Sequence, residues 1–182
     1  TVQAYNLRTV ITCDPANRLP AEKPAGYDRD ELVRRLKTDI NWSMRVPVVG
    51  QPNRKAYLNL PELVGAQRDY PEGDWATRRR IRDEHAFITR SLLHFMQHDP
   101  SVPEATRAGW REWGLPRDEF ADNGHLPYEI YVREARRIDG RARFTEHDAR
   151  LAPGLRRAPI HRDAIGITEW FLDSHACTPA QV

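Results

Sequence analysis

The 182-residue sequence is 40% hydrophobic and 30% charged, a globular composition long enough to bury one sizeable core by the soft prior of about 150 residues per domain. No stretch approaches the roughly 18 consecutive apolar residues of a membrane helix, so a soluble chain is expected. The net charge of +2 comes from 28 basic and 26 acidic residues spread evenly along the chain, which leaves no basic arm or patch for nucleic acid or an anionic membrane.

Residues 2–12 are rich in β-branched and aromatic types. Period-2 alternation sets Tyr5, Leu7 and Ile11 on one face and Asn6 and Arg8 on the other, which predicts a strand with a polar working face. A loop follows, carrying Pro15, Pro20 and Pro24. Asp28 and Glu31 then stand in capping-box spacing before Leu32, Val33, Leu36 and Ile40, predicting a helix over about 29–39. Residues 41–73 hold seven proline or glycine breakers, among them Pro47, Gly50 and Pro52, and read as an ordered but irregular connection. Asp74 is an N-cap for the strongest helix, about 75–98, whose apolar seam is Ile81, Ile88, Leu92, Phe95 and Met96 and whose stop is Asp99-Pro100. A short helix over about 103–113 has Pro103 in its first turn and ends at Gly114.

Asp139-Gly140, between 128–138 and 141–145, is the two-residue signal of a type I′ hairpin. Residues 146–162 read as a loop and 163–172 as a last apolar strand. Strands from both ends of the chain around a helical middle predict an α+β fold, with an antiparallel sheet packed against the helices and one long helix, in a single domain spanning 1–182. The chain starts directly on a strand pattern and stays apolar almost to its last residue, so it is expected to be part of something longer.

No two glycines stand in GxG spacing, so neither a GxGxxG nor a Walker phosphate loop is encoded. His94 and His98, one turn apart, could share a metal, but no third ligand is evident and the pair reads rather as part of a solvated helix face. His85 falls on the apolar seam and reads as a core histidine with one hydrogen-bond partner. Cys13 and Cys177 are too far apart in sequence to define a zinc site or a disulfide framework.

Asp173-Ser174-His175 holds the residue types of a hydrolase triad, but neighbours on an extended chain point to opposite faces and no GxSxG elbow is present. Asp173 and His175 do share a face, as a pocket-lining pair or within a structural turn. Alternation further groups Tyr131, Arg133, Ala135 and Arg137. An arginine on a buried face needs an anionic partner, from the protein or from a ligand.

Several runs resemble one large bacterial family in the same order. They are Val2-Gln3-Ala4-Tyr5-Asn6-Leu7-Arg8 with Asp14-Pro15-Ala16-Asn17-Arg18; Asp69-Tyr70-Pro71-Glu72-Gly73-Asp74-Trp75-Ala76-Thr77-Arg78; Tyr131-Val132-Arg133-Glu134-Ala135-Arg136-Arg137; and Asp163-Ala164-Ile165-Gly166 leading to Asp173-Ser174-His175. The family is that of FAD-dependent oxidoreductases of the glutathione-reductase-like flavoprotein class. The resemblance implies that the chain is the middle, substrate-side region of such an enzyme, closing over the isoalloxazine ring. A Rossmann segment before it and a second FAD-contacting segment after it, in the same gene product or in a second chain, would be its partners. Residues 41–68 and 146–162 match only loosely, so the small-molecule substrate stays open.

The leading expectation is therefore an oxidoreductase whose FAD is not held by this chain alone. A stand-alone binding or interaction module without FAD is the alternative, and a metal-dependent hydrolase built on the histidines a third. On the first reading Asn6, Arg8 and Arg133 bind an oxygen-rich or carboxylate substrate, and His175, tuned by Asp173, takes the proton. The competing structural reading makes Arg8 and Arg133 partners of Glu134 or Asp14.

Overall fold

Asp28 and Asp74 do what their positions predict. In the computed structural model, which describes residues 2–167 and 173–181, Asp28 accepts from the N–H groups of Asp30 and Glu31 and opens α1, Arg29–Ser43. Asp74 accepts from Thr77 N–H and opens α2, Trp75–His98. That hydrogen bond holds the Asp74 carboxyl below the usual aspartate range, with the Thr77 hydroxyl adding to it. A carboxyl depressed in the folded state gives stability above its unfolded pKa and loses it as pH falls through the folded value. Asp74→Ala is thus expected to lower the melting temperature at neutral pH, with the difference closing in acid. Parallel thermal melts at pH 7 and about pH 3 check this.

Contact density divides the chain into two units, Thr1–Ala135 with Ala176–Val182, and Arg136–His175. In the first, α1 buries Leu32, Leu36 and Ile40, one turn apart, and α2 buries Ile81, His85, Ile88, Leu92, Phe95 and Met96. Arg35 of α1 pairs with Glu84 of α2 at 2.7 Å. Polar residues survive on the buried side of α2 by bonding one turn back, Thr89 Oγ1 to His85 O and Ser91 Oγ to Phe87 O. The next helix, α3 (Glu104–Arg111), delivers the fully buried Trp110, with Trp113 just beyond its end.

The strands are short. β1 (Thr9–Thr12) pairs antiparallel with β3 (Lys55–Leu58) in the register Thr9 to Leu58, and β2 (Arg18–Leu19) pairs with β4 (Leu115–Pro116). Thr12 and Gly114 exchange both backbone hydrogen bonds between the two ladders. Gly114 is thus not the helix stop expected of it. It lies where a Cβ would collide with the Leu19 carbonyl, which is why no larger residue fits. β3 lies inside the stretch read as irregular, entered through a tight loop in which Asn53 and Arg54 are both left-handed, with φ of 59° and 57°.

The α+β class holds, while the sheet differs from the expected one. Only Thr9–Thr12 of the predicted first strand joins a ladder. Ala4, Tyr5, Asn6 and Leu7 are all fully buried, because Ala4 N–H bonds to Ala176 O and Asn6 O accepts from Tyr131 N–H on a neighbouring segment. Alternation fails where both sides of an extended segment are covered.

The predicted hairpin over 128–145 does not form. Neither Asp139 nor Gly140 has the positive φ that a type I′ turn needs at both central residues. A lone two-stranded ribbon is marginal without a surface to pack on, and Ile138 and Phe144 are exposed here. The second unit's one helix among the described residues, α4 (Glu146–Ala149), sits in the predicted loop and is opened by a Thr145/Asp148 capping box. Of the last predicted strand, 163–167 is irregular and 168–172 lies outside the described residues.

Candidate functional site

The bridge between Asn6 and Tyr131 organises the polar centre of the first unit. Tyr131 N–H donates to Asn6 O at 2.8 Å, the Asn6 side-chain amide donates to Asn59 O, and Asn6 Oδ1 is buried with no hydrogen-bond partner among the described residues. Two guanidinium groups lie over the Tyr131 ring, that of exposed Arg8 at 4.1 Å from the centroid and that of Arg133 at 5.1 Å. A ring face attracts each cation by about 0.5–1 kcal/mol at an exposed site. The arrangement gathers two positive forks on one aromatic platform.

Arg133 is also tied down from behind. Its Nε donates to Ala4 O at 2.9 Å and its Nη2 to Glu62 Oε1 at 2.6 Å, with the two side chains only 11% and 15% exposed. The protein itself thus supplies Arg133's anionic partner, and that partner is Glu62. Glu134 accepts instead from Gln3 N–H, its carbonyl accepts from Tyr5 Oη, and Asp14 accepts from Ala16 N–H. Arg8 has the Tyr131 ring as its neighbour.

Behind Glu62 stands Asp39, which accepts from Glu62 N–H at 2.9 Å. Burial pushes the Asp39 carboxyl up to about 6; the N–H it accepts opposes the rise and the Glu62 charge adds to it. The folded chain therefore keeps a proton that the unfolded chain releases near 3.8. Between those values the native state binds more protons, so stability falls as pH rises, by up to about 3 kcal/mol between roughly pH 4 and pH 7. Asp39→Asn is expected to remove that slope, as urea unfolding across the window would show. Sequence reasoning passed over Asp39 and Glu62, which sit in a helix flank and a breaker-rich stretch with no periodic signal. Tyr131 shares a predicted face with Arg133, but alternation alone marks no role for its ring.

Asp173 and His175 belong to the second unit. His175 Nε2 lies 2.9 Å from Asp173 Oδ1, with the His175 side chain 22% exposed. The predicted residues thus come together as two groups: Asn6, Arg8 and Arg133 around Tyr131 in one unit, and Asp173 with His175 in the other.

The remaining histidines have structural neighbours. His94 and His98 stack at 4.4 Å, and His98 Nδ1 is engaged by His94 O at 2.9 Å. Among the described residues no three His, Cys, Asp or Glu side chains are placed to hold a metal ion. His85 is buried, with Nδ1 2.7 Å from Ile81 O, and burial lowers its pKa. No helix among the described residues is long and apolar enough to cross a membrane.

A comparison with protein families decides the affiliation: the family model described as FAD dependent oxidoreductase matches residues 1–181. The chain belongs to the FAD dependent oxidoreductase family. No curated protein and no solved structure matches it. FAD is the cofactor the family implies. A dinucleotide's pyrophosphate is usually held by free backbone donors at a glycine-rich helix N-terminus. The described residues do not fit that task. The Asp28 carboxylate takes two of the N–H donors that open α1 and that of Asp74 takes one of those that open α2, Asp30 and Glu31 add negative charge to the first turn of α1, and α3 follows Pro103 with Glu104 in its first turn.

Proposed function

We propose that this member of the FAD dependent oxidoreductase family is the substrate-side domain of a flavoprotein of the glutathione-reductase-like class. In this reading FAD is held by a Rossmann part, in the same gene product or a second chain, and this chain orients the substrate while the redox chemistry belongs to the cofactor. The observation that carries the reading is the pair of guanidinium groups converging on Tyr131. Arg133 is fixed by Glu62 and Ala4 O, whereas Arg8 is exposed and has no ion pair among the described residues.

Such a platform suits an oxygen-rich substrate bearing a carboxylate, which Arg8 binds as a planar fork while the Tyr131 ring supports its body. In the second unit, His175 is the proposed acceptor of the proton released in the oxidation, and the Asp173 carboxylate 2.9 Å away orients its ring and stabilises its charged form.

The test is anaerobic incubation of the full-length flavoprotein with a panel of hydroxy acids and neutral polyols of matching size, followed by the visible absorption of oxidised flavin. Hydroxy acids are expected to bleach it, and Arg8→Met to raise the concentration needed by about tenfold or more. Equal bleaching by the neutral polyols, or an Arg8→Met protein indistinguishable from wild type, contradicts the reading.

A further inference from the structure

On another part of the first unit, a cleft of about 370 Å³ opens between the loop that follows β2 and the face of α2, with β4 and the Gly124-His125 turn closing it. That volume is within the roughly 300–1,000 Å³ of small-molecule sites. It shares no lining residue with the Arg8, Tyr131 and Arg133 cluster. Its walls are apolar, with Leu19, Leu93 and Leu115 at the base and Pro20 and Pro24 on the loop side.

Glu22, Lys23, Arg90 and His125 are the polar residues of the lining, and Arg90 is the one that α2 contributes. Its Nη2 donates to Gly124 O, and Gly124, with φ of +63°, lets it approach: a Cβ there would lie 2.7 Å from Nη2. Among the described residues Arg90 has no carboxylate within ion-pair distance, unlike Arg29, which has two, and Arg35 and Arg133, which have one each. Burial lowers its pKa, the Arg82 charge adds to that, and Glu22 on the cleft's loop side partly offsets both without reaching it. Lys23, on the same loop, adds a second cation to the rim. A half-buried guanidinium whose four remaining N–H donors have no anionic acceptor is an incomplete charge pair, and an anion entering the cleft completes it.

We propose that this cleft is a binding site for a small monocarboxylate with an apolar body, the carboxylate meeting Arg90 and the body lying on Leu19, Leu93 and Leu115. Because Glu22 repels such a ligand, its neutralisation strengthens binding, an effect that no purely structural role for these residues produces.

The probe is 3-phenylpropionate, titrated calorimetrically into the full chain beside the neutral 3-phenylpropan-1-ol, with amide NMR shifts locating the site. The expected result is saturable binding of the acid, at least about tenfold weaker binding of the alcohol, shifts at Gly124 and His125, at least about twofold tighter binding to Glu22→Gln, and loss of binding in Arg90→Gln. Absence of saturable binding, equal affinity for acid and alcohol, or shifts confined to residues elsewhere overturns the proposal. Should Arg90→Gln fail to fold, Glu22→Gln decides alone: Glu22 is exposed, and unchanged or weaker binding of the acid by that variant overturns it.

Discussion

Replacing Trp110 by alanine is expected to lower stability by about 3–5 kcal/mol, the usual loss for a large aromatic in a close-packed core. Trp110 is 1% exposed and stands where three helices meet. Its Nε1 donates to Ser43 O at the end of α1, and its own carbonyl, with that of Trp113, accepts from the Gln97 side chain on α2. The substitution opens a cavity the size of an indole and strips the buried Ser43 carbonyl of its donor. Trp110→Phe separates the two effects. It restores most of the volume but not the hydrogen bond, and should cost about 1–3 kcal/mol. Trp75, 81% exposed at the start of α2, is the control: Trp75→Ala should change stability by no more than about 0.5 kcal/mol. Urea unfolding followed by far-ultraviolet circular dichroism reads all three.

Arg133→Met is expected to cost about 3 kcal/mol, since it removes one member of a mostly buried, hydrogen-bonded ion pair. Arg133 also donates to Ala4 O, so its loss loosens the buried segment 4–7. If Glu62 is the charge at issue, the double variant Arg133→Met/Glu62→Gln should lose less than the sum of the single changes, with a coupling of about 1–3 kcal/mol. Strict additivity in a double-mutant cycle would show that the 2.6 Å contact contributes nothing to stability.

The long helix is readable from its sequence because local and tertiary signals agree there: an aspartate cap, a seam at helical spacing, and a proline stop act on the same stretch. β3 is hidden for the opposite reason. Pro47, Gly50 and Pro52 crowd its approach, and Lys55–Leu58 is extended because β1 pairs with it, a partner 49 residues away in the register Thr9 to Leu58. Asp139-Gly140 has turn chemistry without the packed faces that make a hairpin worth forming. At the site, the residue types were visible: a buried arginine demanded an anion, and alternation placed Tyr131 beside Arg133. That the anion is Glu62, and that Asp39 stands behind it, depends on the path of the chain through 59–63, which no local pattern encodes.

The proposed chemistry meets its sharpest test at His175. In the full-length flavoprotein, single-turnover reduction of the flavin by its hydroxy-acid substrate should slow by about 10²- to 10⁴-fold when His175 is replaced by glutamine. The pH dependence of the step, governed in the wild type by one group that must be deprotonated, should flatten. An unchanged reduction rate and an unchanged pH profile in His175→Gln would remove His175 as the proton acceptor and contradict the account.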